Sequence, residues 1–406
     1  MVPALSADTG IAIVFAVVYA GMFLGGLPKL RLDRSGVALL GAIAVIPMLG
    51  ESVPDIARQA IDLPTLVLLF AFMVLSAQMQ LGGFYGAVLW RVSAWPLSPR
   101  ALLAALIAVA ALLAAVFSND VVCLALTPLG LRLARVRGLP PLPMLVALAC
   151  AANIGSAATL IGNPQNMLIG ATLRLDFATY LHNALPAVGA SLLLLWAWLA
   201  RGLPAQAQKA SVPVDVESPP VDRWQCAKGL IVALALMAVF LFTRWPHEVA
   251  ALVGAGVLLL SRRLHSREVM AYVDWPLLLL FIGLFVVNHA FQQTGLPAQA
   301  VAWLQGQGWA LTDLAVLAPL TVGLSNLVSN VPAVMLLLPH LDAAQGTLLA
   351  LLSTLAGNLL LVGSIANLIV ADLAAKQGVS MGWRDHLRLA APVAVGSVVF
   401  ALLLRP

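Results

Sequence analysis

Apolar runs of bilayer-spanning length recur from one end of this chain to the other. They include "GIAIVFAVVYAGMFLGGL" from Gly10, "ALLAALIAVAALLAAV" from Ala101, "GLIVALALMAVFLF" from Gly229 and "APVAVGSVVFALLL" from Ala391. A helix needs about 20 apolar residues to cross the hydrocarbon core, and only helices or closed barrels satisfy their own backbone there. The segments of a barrel would be short and alternating, whereas these runs are continuous Leu, Ala and Val. The chain therefore reads as an all-α polytopic membrane protein. With 62% of 406 residues hydrophobic and 10% charged, no stretch remains for a soluble domain of useful size. Its partners are the bilayer and a small or ionic solute, not nucleic acid.

The first run lacks an upstream basic region, so it reads as a retained helix and not as a signal peptide. Cys123, Cys150 and Cys226 show no metal-ligand spacing and read as small core residues. An intramembrane enzyme would need a nucleophile with a base, paired aspartates or a metal motif, and the sequence has no HExxH or GxSxG. No cofactor is expected beyond Na+ as a coupling ion.

Basic residues mark cytoplasmic loops. They cluster at Lys29 to Arg34, Arg91 and Arg100, Arg132 to Arg137, Arg201 to Lys228, Arg262 to Arg267, and Lys376 to Arg388, with Arg58, Arg174, Arg244 and Arg405 left over. Threading all six clusters to the cytoplasm places both termini on the periplasmic side of a bacterial inner membrane. The run from Arg100 to Arg132 then enters and leaves on one side, as a re-entrant hairpin with its tip at Ser118-Asn119-Asp120. The stretch from Glu268 to Ala375 has no Lys or Arg, and in it "LVSNVPAVMLLLP" forms a second hairpin with its tip at Ser329-Asn330.

Three blocks recur in the same order. "DLPTLVLLF" from Asp62 matches "DWPLLLLF" from Asp274, and "VFSNDVVCLALTP" matches "LVSNVPAVMLLLP". "TLIGNPQNMLIG" from Thr159 matches "LLVGSIANLIVA" from Leu360, which aligns Gly162 with Gly363 and Asn166 with Asn367. Because the blocks start on opposite sides, they read as two inverted repeats, each with a re-entrant helical hairpin and a broken transmembrane helix. The expected boundaries are a helix pair over 1–58, then a first repeat over 59–202 with hairpin 101–135 and broken helix 142–172. A cytoplasmic linker follows over 203–225 and a helix pair over 226–268. The second repeat covers 269–404, with hairpin 312–342 and broken helix 346–375.

Inverted repeats with interrupted helices are the mark of secondary transporters. Glycines, a proline and asparagines inside a span, as in "NIGSAATLIGNPQN" from Asn153, break the helix. Broken backbone at membrane depth is tolerated only where it is buried in protein or lines a watery cavity. Freed carbonyls can meet a cation, and restarted amino ends can meet an anion. The expected substrate and ion site draws on Ser118, Asn119, Asp120, Asn153, Gly162, Asn163 and Asn166 in the first half. The second half supplies Ser325, Asn326, Ser329, Asn330, Gly363, Ser364 and Asn367. Asp120 is either an ion-coupling carboxylate, a cap on the returning hairpin arm, or both. Taken one at a time, the asparagines also read as groups that satisfy broken backbone, and Asn288 and His289 read as interhelical hydrogen-bonding partners.

"SND", "SNVP" and "GNPQN", set in these halves, resemble the ion transporter superfamily. That group includes divalent anion/sodium symporters, citrate transporters, arsenite-efflux permeases and some sodium/proton antiporters. The resemblance implies Na+ at Ser118, Asn119, Ser329 and Asn330, together with elevator-like motion and a homodimer. It also implies a Ser-Asn-Thr tip in dicarboxylate carriers, and here Asp120 and Val331 stand where both threonines would be. "SND" looks more like the arsenite-permease and general anion-permease branches. The expectation is a carrier of a small anion (a dicarboxylate, citrate or an inorganic oxyanion) coupled to Na+ or H+. Arsenite efflux or Na+/H+ antiport is the alternative.

Overall fold

The computed structural model describes residues 6–27, 30–204 and 220–405; most of the expected linker lies outside them. The described residues contain helices and no strand. The first half runs α1 (Ala7–Leu24), α2 (Arg34–Leu49), the short α3 (Val53–Ala60), α4 (Leu63–Leu81) and α5 (Phe84–Ser93). It continues through the hairpin α6 (Pro99–Val116) and α7 (Asn119–Val136) to α8 (Pro141–Ser156), α9 (Pro164–Leu173) and α10 (Phe177–Ala200). The second half runs α11 (Arg223–Phe242), α12 (His247–Leu259), the short α13 (Ser266–Met270), α14 (Trp275–Gln293) and α15 (Leu296–Gly306). Then come the hairpin α16 (Leu314–Val328) and α17 (Asn330–Leu337), followed by α18 (Ala343–Ala356), α19 (Ile365–Lys376) and α20 (Trp383–Leu403). Seven of these helices are long and apolar enough to cross a membrane, and an eighth span results if α2 and α3, bent by 118°, count as one.

Ten helices in the first half are thus followed by ten of matching order in the second, and α1 to α3 have counterparts in α11 to α13. The repeated Asp-x-Pro is a helix start. Asp62 accepts the amide of Thr65 at 2.9 Å and Asp274 that of Leu277 at 3.0 Å. In each case Pro follows in the first turn, where its missing N–H costs nothing. The halves interlock, with α2 packed on α14 and α12 on α4. Small residues permit this approach: a Cβ on Gly283 would lie 2.6 Å from the Ala38 backbone carbon.

Contacts at the helix ends sort the loops into two groups. Arg135 donates to the Gln377 carbonyl at 2.6 Å, Arg137 to that of Trp95 at 2.6 Å, and Trp196 to that of Arg100 at 3.0 Å. These contacts gather basic clusters, and both feet of the α6–α7 hairpin, at one end of the bundle. At the other end Gln293 donates to Glu51 at 2.9 Å, and Thr172 to Asp62 at 3.3 Å. A cavity there is bordered by Arg174, Arg405 and both feet of the second hairpin. The three cysteines are free and buried. Asn288 accepts the Tyr19 hydroxyl at 2.9 Å, tying α14 to α1.

Candidate functional site

Each hairpin tip docks on the break of its own half. α8 stops at Ser156 and α9 restarts at Pro164; α18 stops at Ala356 and α19 restarts at Ile365. The Asn119 backbone amide donates to the Gly162 carbonyl at 3.0 Å. With its amide nitrogen turned toward the carbonyls, Asn330 donates to Gly363 at 3.1 Å and to Ser353 at 2.9 Å. The glycines make this approach possible. A Cβ on Gly162 would strike the Ser156 carbonyl oxygen, and one on Gly363 would lie 2.7 Å from Asn326 Oδ1.

The two breaks face each other and exchange hydrogen bonds reciprocally. Asn153 and Thr354 hold equivalent places at an offset of 201 (153 to 354), as do Asn163 and Ser364, and Asn166 and Asn367. Asn163 Nδ2 donates to Thr354 Oγ1 at 3.3 Å, and Ser364 Oγ to Asn153 Oδ1 at 3.1 Å. Thr354 donates to Asn166 at 3.3 Å, and Asn153 to Asn367 at 3.2 Å. Even the backbone contacts match: Asn166 donates to the Thr159 carbonyl at 3.0 Å and Asn367 to that of Leu360 at 3.2 Å.

Through Asn153 a line of amides crosses the site. Asn119 Nδ2 donates to Asn153 Oδ1 at 2.9 Å, and Asn153 Nδ2 donates to Asn358 Oδ1 at 2.8 Å. Asn119 Oδ1 at one end and Asn358 Nδ2 at the other are buried and without a partner among the described residues, as is Ser325 Oγ. Asn326 holds the second break closed by donating to the Ala356 carbonyl at 3.0 Å and accepting the Leu360 amide at 3.2 Å. Several asparagines therefore do satisfy broken backbone, Asn166 at Thr159, Asn326 at Ala356 and Asn367 at Gly357 and Leu360.

The expected site residues lie at this junction of tips and breaks, but the side chains of Ser118, Asp120, Ser325 and Ser329 take no part in the hydrogen-bond network among the described residues. The capping alternative for Asp120 does not hold. α7 begins at Asn119 with Ser118 as its N-cap, Ser118 makes no side-chain cap bond, and Asp120 forms no hydrogen bond among the described residues. Ser329, at the other tip, adopts φ 75° and ψ 160°, a conformation normally left to glycine.

Sequence reasoning did not place Thr354, Gln165, Tyr180, Asn358 or His386 among the site residues. Gln165 donates to Thr354 at 3.1 Å, and the Tyr180 hydroxyl donates to the Ala157 carbonyl at 2.7 Å. His386 Nε2 lies 3.0 Å from the Asn358 carbonyl; a carbonyl only accepts, so this nitrogen carries the proton. The repeat offset itself points to Thr354. Gln165 is the Gln of the quoted "GNPQN", while Tyr180 and His386 carry no sequence signal beyond being polar in a greasy chain.

Comparison with known proteins places this geometry. The family described as "Citrate transporter" matches residues 11–348. The chain belongs to the citrate transporter family. The chain is 32% identical to the silicon efflux transporter LSI3 of Oryza sativa subsp. japonica, over 89% of this chain and 90% of that one. It is also 32% identical to the inner membrane protein YbiR of Escherichia coli K12, over 86% and 88%. The putative transporter arsB of Dictyostelium discoideum is 22% identical over 89% and 85%. Among solved structures, the YdaH transporter of Alcanivorax borkumensis superposes with a TM-score of 0.55 at 16% identity, covering 98% of this chain and 97% of that one. That likeness concerns the fold. The family is one of transporters, so the junction of tips and breaks in this citrate transporter family member is a candidate site for a transported solute.

Proposed function

We propose that the chain is a secondary active transporter of a small anion, moved by alternating access of two inverted halves and coupled to Na+ or H+. One observation carries the reading: the amino ends of α7, α17 and α19 meet at the junction with no side-chain cap on any of them. Apart from the Asn119 amide, which donates to Gly162, these amino ends offer N–H groups without side-chain caps and the positive end of the helix dipole to an anion. The hairpins and breaks supply no Lys or Arg at the site itself, so this backbone charge is what an anion would meet. Inversion is supported by the hairpin feet, which stand at opposite ends of the bundle. The basic clusters at one end favour that end as cytoplasmic, with the two described chain ends periplasmic. Asp120 and the open Asn119 oxygen, at the first hairpin tip, fit the coupling ion.

A second reading is favoured by the unpartnered pair. A buried acceptor at Asn119 and a buried donor at Asn358, at opposite ends of the line of amides, each suit a hydroxyl, which both gives and accepts. An uncharged hydroxylated acid such as arsenite would satisfy either one, and one of the relatives is named as a silicon efflux transporter. Transport in proteoliposomes decides between these readings. Citrate, succinate, sulfate and arsenite are compared under imposed Na+ and proton gradients. Gradient-driven, saturable flux of an anion is the expected result, whereas flux of arsenite alone selects the second reading.

A further inference from the structure

We propose that the cavity bearing Arg174 and Arg405 is an anion-recruiting vestibule, which rests on the anion reading above and names the route by which the solute reaches the site. The cavity measures about 450 Å³ and lies among the loop after α9 and the starts of α10, α16 and α18. Its polar lining includes Arg174, Thr179, Asn183, Gln345 and Arg405, with Tyr180 and Leu351 also on its wall. The ion pairs of the described residues are Arg263 with Asp222 and Lys376 with Asp372, so neither vestibule guanidinium is neutralised by a direct partner. The one acid in the lining, Asp176, is committed to capping α10. It accepts the Thr179 amide at 2.8 Å and the Thr179 hydroxyl at 2.7 Å. The lining itself holds two arginines against one carboxylate, while Asp313 and Asp342 adjoin it at the starts of α16 and α18, Asp342 being committed to capping α18.

The wall of the cavity borders the site. Tyr180, on its wall, accepts Asn166 Nδ2 at 3.0 Å, and Asn166 is joined to Thr354 and Asn163 in the network between the breaks. Leu351, also on the wall, is one helical turn from Thr354 on the same face of α18. A solute resting between the arginines is therefore one layer of side chains from the first break.

The backbone at Arg174 is the second, independent observation. It closes α9 in the left-handed conformation, φ 50° and ψ 46°, where glycine or asparagine fits at lower cost. Arg174 and Ser329 are the non-glycine residues with positive φ among those described. The turn does not require an arginine, and the guanidinium is what glycine would not supply. A positive mouth raises the local concentration of an anion and speeds its arrival, an effect that salt screens.

Arg174→Gly separates the two roles because it relieves the turn while removing the charge. Kinetics are measured in proteoliposomes of the full chain with citrate and sulfate as probes, alongside citrate binding by calorimetry in detergent, at about 10 mM and about 0.3 M salt. Arsenite, uncharged at pH 7, is the control solute. Arg174→Gly and Arg405→Gln are each expected to raise KM for the anions several-fold at low salt with kcat unchanged, and the difference should shrink at high salt. Arg174→Lys should retain most of the wild-type KM. Anion transport with unaltered KM in both variants overturns the vestibule and leaves the anion reading intact, as does a KM change of equal size for arsenite. Wild-type protein that neither binds nor moves the anions removes both proposals.

Discussion

Asn153 and Thr354 stand at equivalent positions of the two halves, and each is hydrogen-bonded to the restarted helix of the other half, Asn153 by Ser364 at 3.1 Å and Thr354 by Asn163 at 3.3 Å. The junction therefore exists only when both halves are assembled. Any motion that alternates access either keeps these crossed bonds or exchanges them, so the pair is the place to test the coupling of the halves.

Thr354→Val keeps the shape of the side chain and removes its hydroxyl, which accepts from Asn163 and Gln165 and donates to Asn166. Buried groups left without partners cost about 1–3 kcal/mol each. Tm should fall and transport should be largely lost, with both recovered in Thr354→Ser. A double-mutant cycle with Asn163→Ala should give a coupling of about 0.5–3 kcal/mol, and simple additivity would remove the crossed bond from the explanation.

Gly162→Ala should be more damaging than Gly363→Ala. The new methyl at 162 meets fixed backbone, the Ser156 carbonyl and Ala114 O at 2.8 Å. At 363 its nearest neighbour is the Asn326 side chain, although the Gly357 carbonyl lies at 2.9 Å. Thermal unfolding in detergent ranks the two, and equal losses would show that Asn326 is as immovable as backbone.

Ser329→Gly relieves a backbone strain of about 1–3 kcal/mol at the second hairpin tip. Tm should stay level or rise while transport falls, because the hydroxyl beside the site is gone. Full transport by this variant would leave the strained serine without a functional reason.

Asp120→Asn removes a charge that supports no hydrogen bond among the described residues, so the fold should tolerate it and Tm should stay close to that of the wild type. Dependence of flux on the Na+ or proton gradient should be lost. The coupling role of Asp120 fails if uptake by the variant responds to the gradients as the wild type does.

Asp176 is an exposed cap whose carboxyl is held below the ordinary range by the Thr179 hydroxyl and amide, with smaller help from His247 and Arg244. A depressed folded-state pKa contributes stability above the unfolded value, and that contribution is lost as pH falls through the folded one. Asp176→Ala should therefore lower Tm at pH 7 by the worth of one cap, about 1 kcal/mol. As pH falls through this depressed value the two proteins should converge. A Tm difference that persists in acid would assign the effect to something other than the charged cap.

Much of the junction was legible in sequence because its parts are local. Ser118-Asn119 and Ser329-Asn330 stand out as polar tips between apolar arms, and Gly162 and Gly363 stand out as breaks inside spans. Thr354 was missed because a threonine in an apolar helix raises no alarm, although its offset from Asn153 identified it once the repeat was known. Tyr180 and His386 could not be found in this way. Their importance comes from which carbonyl they reach, those of Ala157 and Asn358, and each partner lies more than twenty positions away in the chain. The role of Asp120 was open in the sequence, and tertiary geometry removed capping from its alternatives.

The sequence by itself determined the class of protein, the spans, the helix starts at Asp62 and Asp274 and the places where the helices must break. Each of these depends on the hydrophobicity or backbone preference of a few neighbouring residues. Only the tertiary structure decided that the two breaks face each other, that Asn153 meets Ser364 while Thr354 meets Asn163, and that Arg174 and Arg405 share one cavity. Those pairings join residues about two hundred positions apart, and they follow from how α2 packs on α14 and α12 on α4, which no local preference encodes.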